Sequence, residues 1–310
     1  PSAEYLQART RVDWPAGHIP GSGRTGGRPC PLRGRLHLTA SKLTFVLSTG
    51  RCGTQWIASS IDRFYAGLVD VEHEPLHSRY EPRRMLGIGD CRGDTLPAPV
   101  QRHIDELVNR DRRYLECGHP CWSSIPVLHQ RLKDRMRVIH LVRHPVPTAL
   151  SWLTHSAYQP PLAPHLDEKI LLSPFDVGVR LPEYRDSWHE LSPFEKCVYY
   201  WCEVTALALE VRQEFGKRWL TLRYEDLFGG DGVESLLGFL ELPANDAMTA
   251  TRSLTSDAFC YVTRPGHDWH AIVRCPHARE IAAQFSYDIG DVDNDAMHRR
   301  YVLGLVDRGQ

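Results

Sequence analysis

The sequence predicts an α/β fold of three layers, α/β/α, with a central parallel sheet of about five strands in a P-loop-like arrangement. Three observations carry that expectation. From Lys42 onward, short apolar runs alternate with longer amphipathic stretches, the pattern of parallel strands joined by crossover helices. The first run passes through two glycines directly into an amphipathic helix. A later segment opens with a capping box and keeps a helical period for about four turns.

The elements follow in order. Strands are expected at Leu43–Ser48, Leu68–Glu72, Tyr114–Cys117, Val138–Val142 and Trp219–Arg223, each a short apolar run. Helices are expected at Thr54–Phe64, Ser124–Lys133 and Pro147–His155. The clearest helix begins at Ser192, where Ser-Pro-Phe-Glu supplies an N-cap, a first-turn proline and a reciprocal Glu195. After it Trp201, Val204, Ala208, Val211 and Phe215 form a stripe suited to the core. Trp152 and the Trp188–Trp201 stretch are read as core, with the lining of an apolar acceptor pocket as the alternative.

Length and composition bound the rest. A chain of 310 residues makes one large or two ordinary domains and buries about three quarters of its unfolded surface. Its 37 Lys+Arg against 38 Asp+Glu argue against a protein that works mainly as a polycation on nucleic acid. No apolar run reaches the length of a membrane span, and the reading is of a cytoplasmic protein. The nine cysteines lack paired metal spacing, so reduced thiols are expected. Residues 1–40 hold six Arg against two acidic residues and are rich in Gly and Pro, which marks a basic, disordered arm. Residues 41–310 form the folded domain, with a Pro-rich insertion over 159–191 that reads as a substrate-side lid or as a plain surface insertion.

The chemistry sits in three segments. In Leu43-Thr-Phe-Val-Leu-Ser-Thr-Gly-Arg-Cys-Gly-Thr-Gln-Trp56, a strand turns through Gly50 and Gly53 into a helix, the layout of an anion cradle. Thr54 and Gln55 add side-chain donors. The pattern is neither GxxxxGK[ST] nor GxGxxG, which argues against a Mg-dependent NTPase or a nicotinamide enzyme. In the second segment, a strand ends in Arg143, and Ser151 follows eight residues later in the next helix. Arginine is a planar fork of donors suited to a phosphate. The third is the strand Trp219–Arg223, which ends in the turn Tyr224-Glu-Asp226.

With these motifs in this order, the chain from about residue 42 to 228 resembles the sulfotransferase superfamily, which uses 3′-phosphoadenosine 5′-phosphosulfate (PAPS) and releases 3′-phosphoadenosine 5′-phosphate (PAP). By that resemblance Gly50-Arg-Cys-Gly-Thr-Gln-Trp56 is the phosphosulfate loop, although the family usually reads Pro-Lys-Ser-Gly-Thr-Thr-Trp there. Gly50, Cys52, Gly53, Thr54 and Gln55 then cradle the donor, and Arg51 takes the place of the basic residue on the bridging oxygen. Arg143 and Ser151 match the 3′-phosphate pair. Tyr224 is a candidate adenine contact, while Glu225 and Asp226 hold the turn. A fainter echo, Arg264-Pro-Gly-His-Asp-Trp269, makes Arg264 a candidate cap on the 3′-phosphate.

Sulfuryl transfer needs a base for the acceptor hydroxyl and fixed donors for the charge that builds on the transferring oxygens. A sulfuryl group carries less charge than a phosphoryl group, so no metal is expected. The base belongs at the carboxyl end of a strand beside the loop. His119 lies near the position of the family's catalytic histidine, and Glu116 offers the glutamate used by some carbohydrate sulfotransferases. His73 and Glu74 are the third option, as acceptor contacts or as base. A Cys/His nucleophile built from Cys52 or Cys117 is disfavoured because Cys-Gly suits a tight turn by size and the phosphate motifs would go unexplained, and a zinc site at Cys117, His119 and Cys121 is disfavoured by spacing. The expected activity is PAPS-dependent sulfation of a hydroxyl or amine on a small-molecule, carbohydrate or lipid acceptor. The alternatives are a kinase with a degenerate phosphate loop and a non-catalytic nucleotide-binding module.

Overall fold

The computed structural model of the protein describes residues 42–90, 95–160, 167–251 and 268–301. The basic arm over residues 1–40 and Arg264 lie outside the described residues. Five strands form one sheet: β1 (Leu43–Leu47), β2 (Asp70–His73), β3 (Tyr114–Cys117), β4 (Met136–Val142) and β5 (Trp219–Arg223). Their order is β2-β3-β1-β4-β5, and every neighbouring pair is parallel. The helices are α1 (Thr54–Tyr65), α2 (Pro82–Asp90), α3 (Ala98–Val108), α4 (Ile125–Leu132), α5 (Pro145–Leu153) and α6 (Pro193–Val211). They continue with α7 (Tyr224–Gly229), α8 (Gly232–Leu240), α9 (Asp246–Ala250), α10 (Pro276–Ala283) and α11 (Asn294–Tyr301).

The sheet separates two cores, which makes the three layers. Leu43, Phe45, Leu47, Tyr114 and Val138 point into the larger one, shared with α2 to α6 and α10. Val46, Leu115, Cys117, Ile139, Leu141 and Leu222 point into the smaller one, against α1, α7, α8 and α9. All five residues of β1 are buried, as expected of a central parallel strand covered on both faces. The five strands fall where the apolar runs are, with shifts of one or two residues at their ends.

The helix after Ser192 begins as its sequence demands. The Ser192 side chain accepts from the Glu195 N–H, and Glu195 reaches back to the Ser192 N–H at 2.9 Å. Its stripe is buried throughout, and Trp188 and Trp201 are core residues. The insertion is tied down rather than loose in its described part. Glu203 on α6 accepts the backbone N–H groups of Arg180 and Leu181 at 2.8 Å each and the Tyr199 hydroxyl at 2.9 Å. Lys169 exchanges two backbone hydrogen bonds of 2.9 Å with Ser156 and Tyr158. No helix among the described residues is long and apolar enough to cross a membrane.

Candidate active site

Because the strands are parallel, their carboxyl ends lie along one edge, and open α/β sheets hold ligands there. In sheet order that edge carries His73 and Glu74 after β2, His119 after β3, the loop Ser48–Gly53 after β1, Arg143 after β4, and Tyr224 after β5. The loop is a tight, internally bonded arch. The Ser48 hydroxyl accepts the Gly50 N–H at 3.0 Å, and the Trp152 indole donates to the Thr49 carbonyl at 3.0 Å. Gly50, Arg51 and Gly53 all take positive φ. A Cβ on Gly50 would stand 2.9 Å from both the His119 Cβ and the Trp152 ring, so glycine lets the loop close onto these two side chains. Gly53 caps α1 in the left-handed region with no side-chain hydrogen bond to the first turn. The helix dipole and its amide donors therefore open onto the loop.

The two basic residues of the motifs meet here. Arg51 Nε donates to Ser151 Oγ at 2.9 Å, and Arg143 Nη1 donates to the Arg51 carbonyl at 3.0 Å. The Arg143 guanidinium lies 4.3 Å over the Tyr224 ring and reaches the Tyr301 hydroxyl at 3.4 Å. Arg143 is only 5 % exposed, and its Nε has no hydrogen-bond partner among the described residues. Trp56 and Phe228 pack edge to face at 5.3 Å, next to Tyr224. Glu225 accepts from the Tyr287 hydroxyl, and Asp226 pairs with Arg223 at 3.1 Å.

On the other side of β1 a cavity of about 500 Å³ opens between the loop, β2, β3 and the insertion. Its walls include Arg51, His73, Glu74, His119, Trp152 and Lys169. His119 Nδ1 lies 3.1 Å from Glu74 Oε1. A carboxylate only accepts, so the contact keeps a proton on Nδ1 and leaves Nε2 as the accepting nitrogen of the neutral ring. Burial pushes the Glu74 carboxyl up, but the His119 hydrogen bond and the nearby His119, His73 and His77 charges outweigh it and hold it at about 2. Glu74 comes this close because its Cγ would stand 2.4 Å from any Cβ on Gly118. His73 Nε2 sits 3.5 Å from Thr54 Oγ1, and burial lowers its affinity for a proton.

Glu116 is the correction. It points into the larger core and is 1 % exposed, where it accepts from the Tyr80 hydroxyl and from His103 Nε2 at 2.8 Å. It does not line the cavity, and its partners close it off from any acceptor. Cys52, within the loop, is fully buried, and burial raises its thiol to about 11, which keeps it protonated and unreactive. Lys169 and His155 reach the cavity without having been singled out in the sequence. Lys169 is the one Lys or Arg between Arg143 and Arg180, and that isolation within an apolar, Pro-rich stretch was its signal. Among the described residues no group of three or more His, Cys, Asp or Glu is arranged to hold a metal ion.

No protein-family model matches the chain, and no curated protein does. Among solved structures it is similar to the sulfotransferase domain of the Synechococcus PCC 7002 olefin synthase, at 16% identity over 81% of this chain and 97% of that one, with a TM-score of 0.46. It is also similar to a mouse sulfotransferase, SULT7A1, complexed with PAP, at 17% identity over 73% of this chain and 70% of that one, with a TM-score of 0.43.

Proposed function

We propose that the chain is a sulfotransferase that moves a sulfuryl group from PAPS to a hydroxyl or amine. The observation that carries this reading is the convergence of motifs about a hundred residues apart: Arg51 bonded to Ser151, and Arg143 bonded to the Arg51 carbonyl, beside a cavity holding a His119–Glu74 pair. The donor set suits a nucleotide with two anionic ends. A buried guanidinium with one unpartnered N–H stands by a helix that begins without a side-chain cap.

PAPS supplies the sulfuryl group and the leaving phosphate. Arg143 and Ser151 are assigned to its 3′-phosphate, and Tyr224 to the adenine side. The amides of the loop and Arg51 offset the charge that develops on the transferring oxygens. His119 Nε2 takes the acceptor proton, and Glu74 holds the ring and stabilises the imidazolium. Lys169 and His73 line the acceptor side.

Thermal unfolding with PAP, ADP, AMP and ATP plus Mg²⁺ tests the donor. A ligand at about 100 times its dissociation constant adds about 2.7 kcal/mol to stability. A rise in Tm with PAP alone supports the reading. A rise with ATP plus Mg²⁺ instead transfers the protein to the kinases, and PAP binding without turnover of any acceptor favours a nucleotide-binding module.

A further inference from the structure

The acceptor cavity has a continuation. Pro82 and Arg83 line it, and they also line a second depression of about 760 Å³ between α2 and the insertion. From Pro82 to Ile88, the floor of that groove runs six residues along α2, about 9 Å at the helical rise.

Its character is apolar. Six large hydrophobic residues are exposed among the described residues, and three of them fall within eight positions of the insertion: Ile170 at 48 %, Phe175 at 53 % and Val177 at 67 %. Scattered singly, such residues are ordinary; here they form a strip. Ile170 lines the His119 cavity, and Phe175 and Val177 line the groove, so the strip crosses from one to the other. The charged groups of the groove are already matched within the chain. Arg83 pairs with Asp176 at 2.6 Å, and Arg84 pairs with Glu81 at 3.2 Å and donates to the Thr95 carbonyl at 3.1 Å. Paired cations do not call for an anionic ligand.

We infer that the acceptor is a hydroxyl borne on an apolar chain, with the hydroxyl at His119 and the chain laid over Ile170, Phe175 and Val177. The inference rests on the sulfotransferase reading and names the substrate class of that same site. In the step it implies, the acceptor oxygen gives its proton to His119 and bonds to sulfur while the bond from sulfur to the donor phosphate breaks.

The test is kcat/KM with PAPS for a series of primary alkanols from butanol to dodecanol, in wild type and in Phe175→Ser and Val177→Asp. Each methylene that enters the groove is expected to raise kcat/KM by about fourfold until the groove is full. The two exposed substitutions flatten the rise for long chains and leave butanol unchanged. A flat series in the wild type, equal losses on butanol and dodecanol, or PAP binding with no alkanol turned over overturns the groove assignment alone. A wild-type dimer that Val177→Asp dissociates without touching the series gives the strip to a second copy and also overturns it. Absence of PAP binding overturns the donor reading instead.

Discussion

Glu203 ties the insertion to the folded core, and its replacement has a calculable cost. The carboxylate is buried on α6 and is the acceptor for two backbone N–H groups of the insertion and for the Tyr199 hydroxyl. Burial pushes its pKa up, and the hydrogen bonds from Arg180, Leu181 and Tyr199 offset part of that rise. The ion is therefore no large net source of stability, yet removing it is costly, because its partners stay behind without acceptors. In Glu203→Ala the Arg180 and Leu181 N–H groups are stranded at about 1–3 kcal/mol each, for a loss of about 4 kcal/mol. In Glu203→Gln the amide oxygen keeps Leu181 and Tyr199, and only the Arg180 N–H faces a donor, at about 1–2 kcal/mol. At about 2–4 °C per kcal/mol, Tm falls by about 10 °C for alanine and about 4 °C for glutamine. Both variants should raise the KM of the acceptor, since Lys169, Ile170 and Leu171 lie on the anchored segment, and both should leave PAP affinity unchanged. A melting curve for the alanine variant within about 2 °C of wild type, or equal losses for the two variants, would rule out Glu203 as the anchor of the insertion.

Three further outcomes are expected. Arg143→Ala should abolish the PAP-induced rise in Tm and also lower Tm without ligand, because the buried guanidinium holds the Arg51 carbonyl and packs on Tyr224; a persisting PAP shift sinks the 3′-phosphate assignment. His119→Ala should cut kcat by about 10²- to 10⁴-fold with donor affinity intact, and Glu74→Ala added to it should cost nothing more; additive losses in the double variant would show that the two do not act as a unit. His140 lies buried between Trp219 and Phe285, and burial, with a lesser push from Arg212, lowers its pKa from 6.5 to about 3. The unfolded chain then binds a proton that the folded one refuses, so stability falls as pH drops from 6.5 toward 3. The slope is about 1.4 kcal/mol per pH unit for this one group, and His155, held down to about 3 as well, adds its own, so His140→Leu should lessen the fall in Tm between pH 6.5 and 5 without abolishing it; an unchanged profile refutes it.

The strands were legible because a parallel sheet covered on both faces needs continuous apolar runs, and β1 to β5 are such runs. The helix after Ser192 was legible from its cap. Helix α2 was not, since Pro82-Arg-Arg-Met-Leu-Gly-Ile-Gly carries two glycines and a paired arginine that dilute its period. Glu116 was misjudged by overlooking the twofold alternation of a strand. Tyr114 and Glu116 share a face and enter the larger core, whereas His119 lies beyond the strand end and turns to the edge. Tyr301 was invisible for another reason: its place beside Arg143 is set by packing against a segment more than a hundred residues away, and no local pattern encodes that.

The strand order has a consequence for how such a protein changes over generations. β1 stands at the middle of the edge, with the histidine- and glutamate-bearing ends of β2 and β3 on one flank and the arginine- and tyrosine-bearing ends of β4 and β5 on the other. Mutations before about residue 124 or in the insertion fall mainly on one flank and those after β4 and β5 mainly on the other, while the six-residue arch and the helices that carry Trp152 and Tyr200 serve both. A chimera that exchanges one flank between related chains therefore has to keep the arch and those two helices matched to both sides.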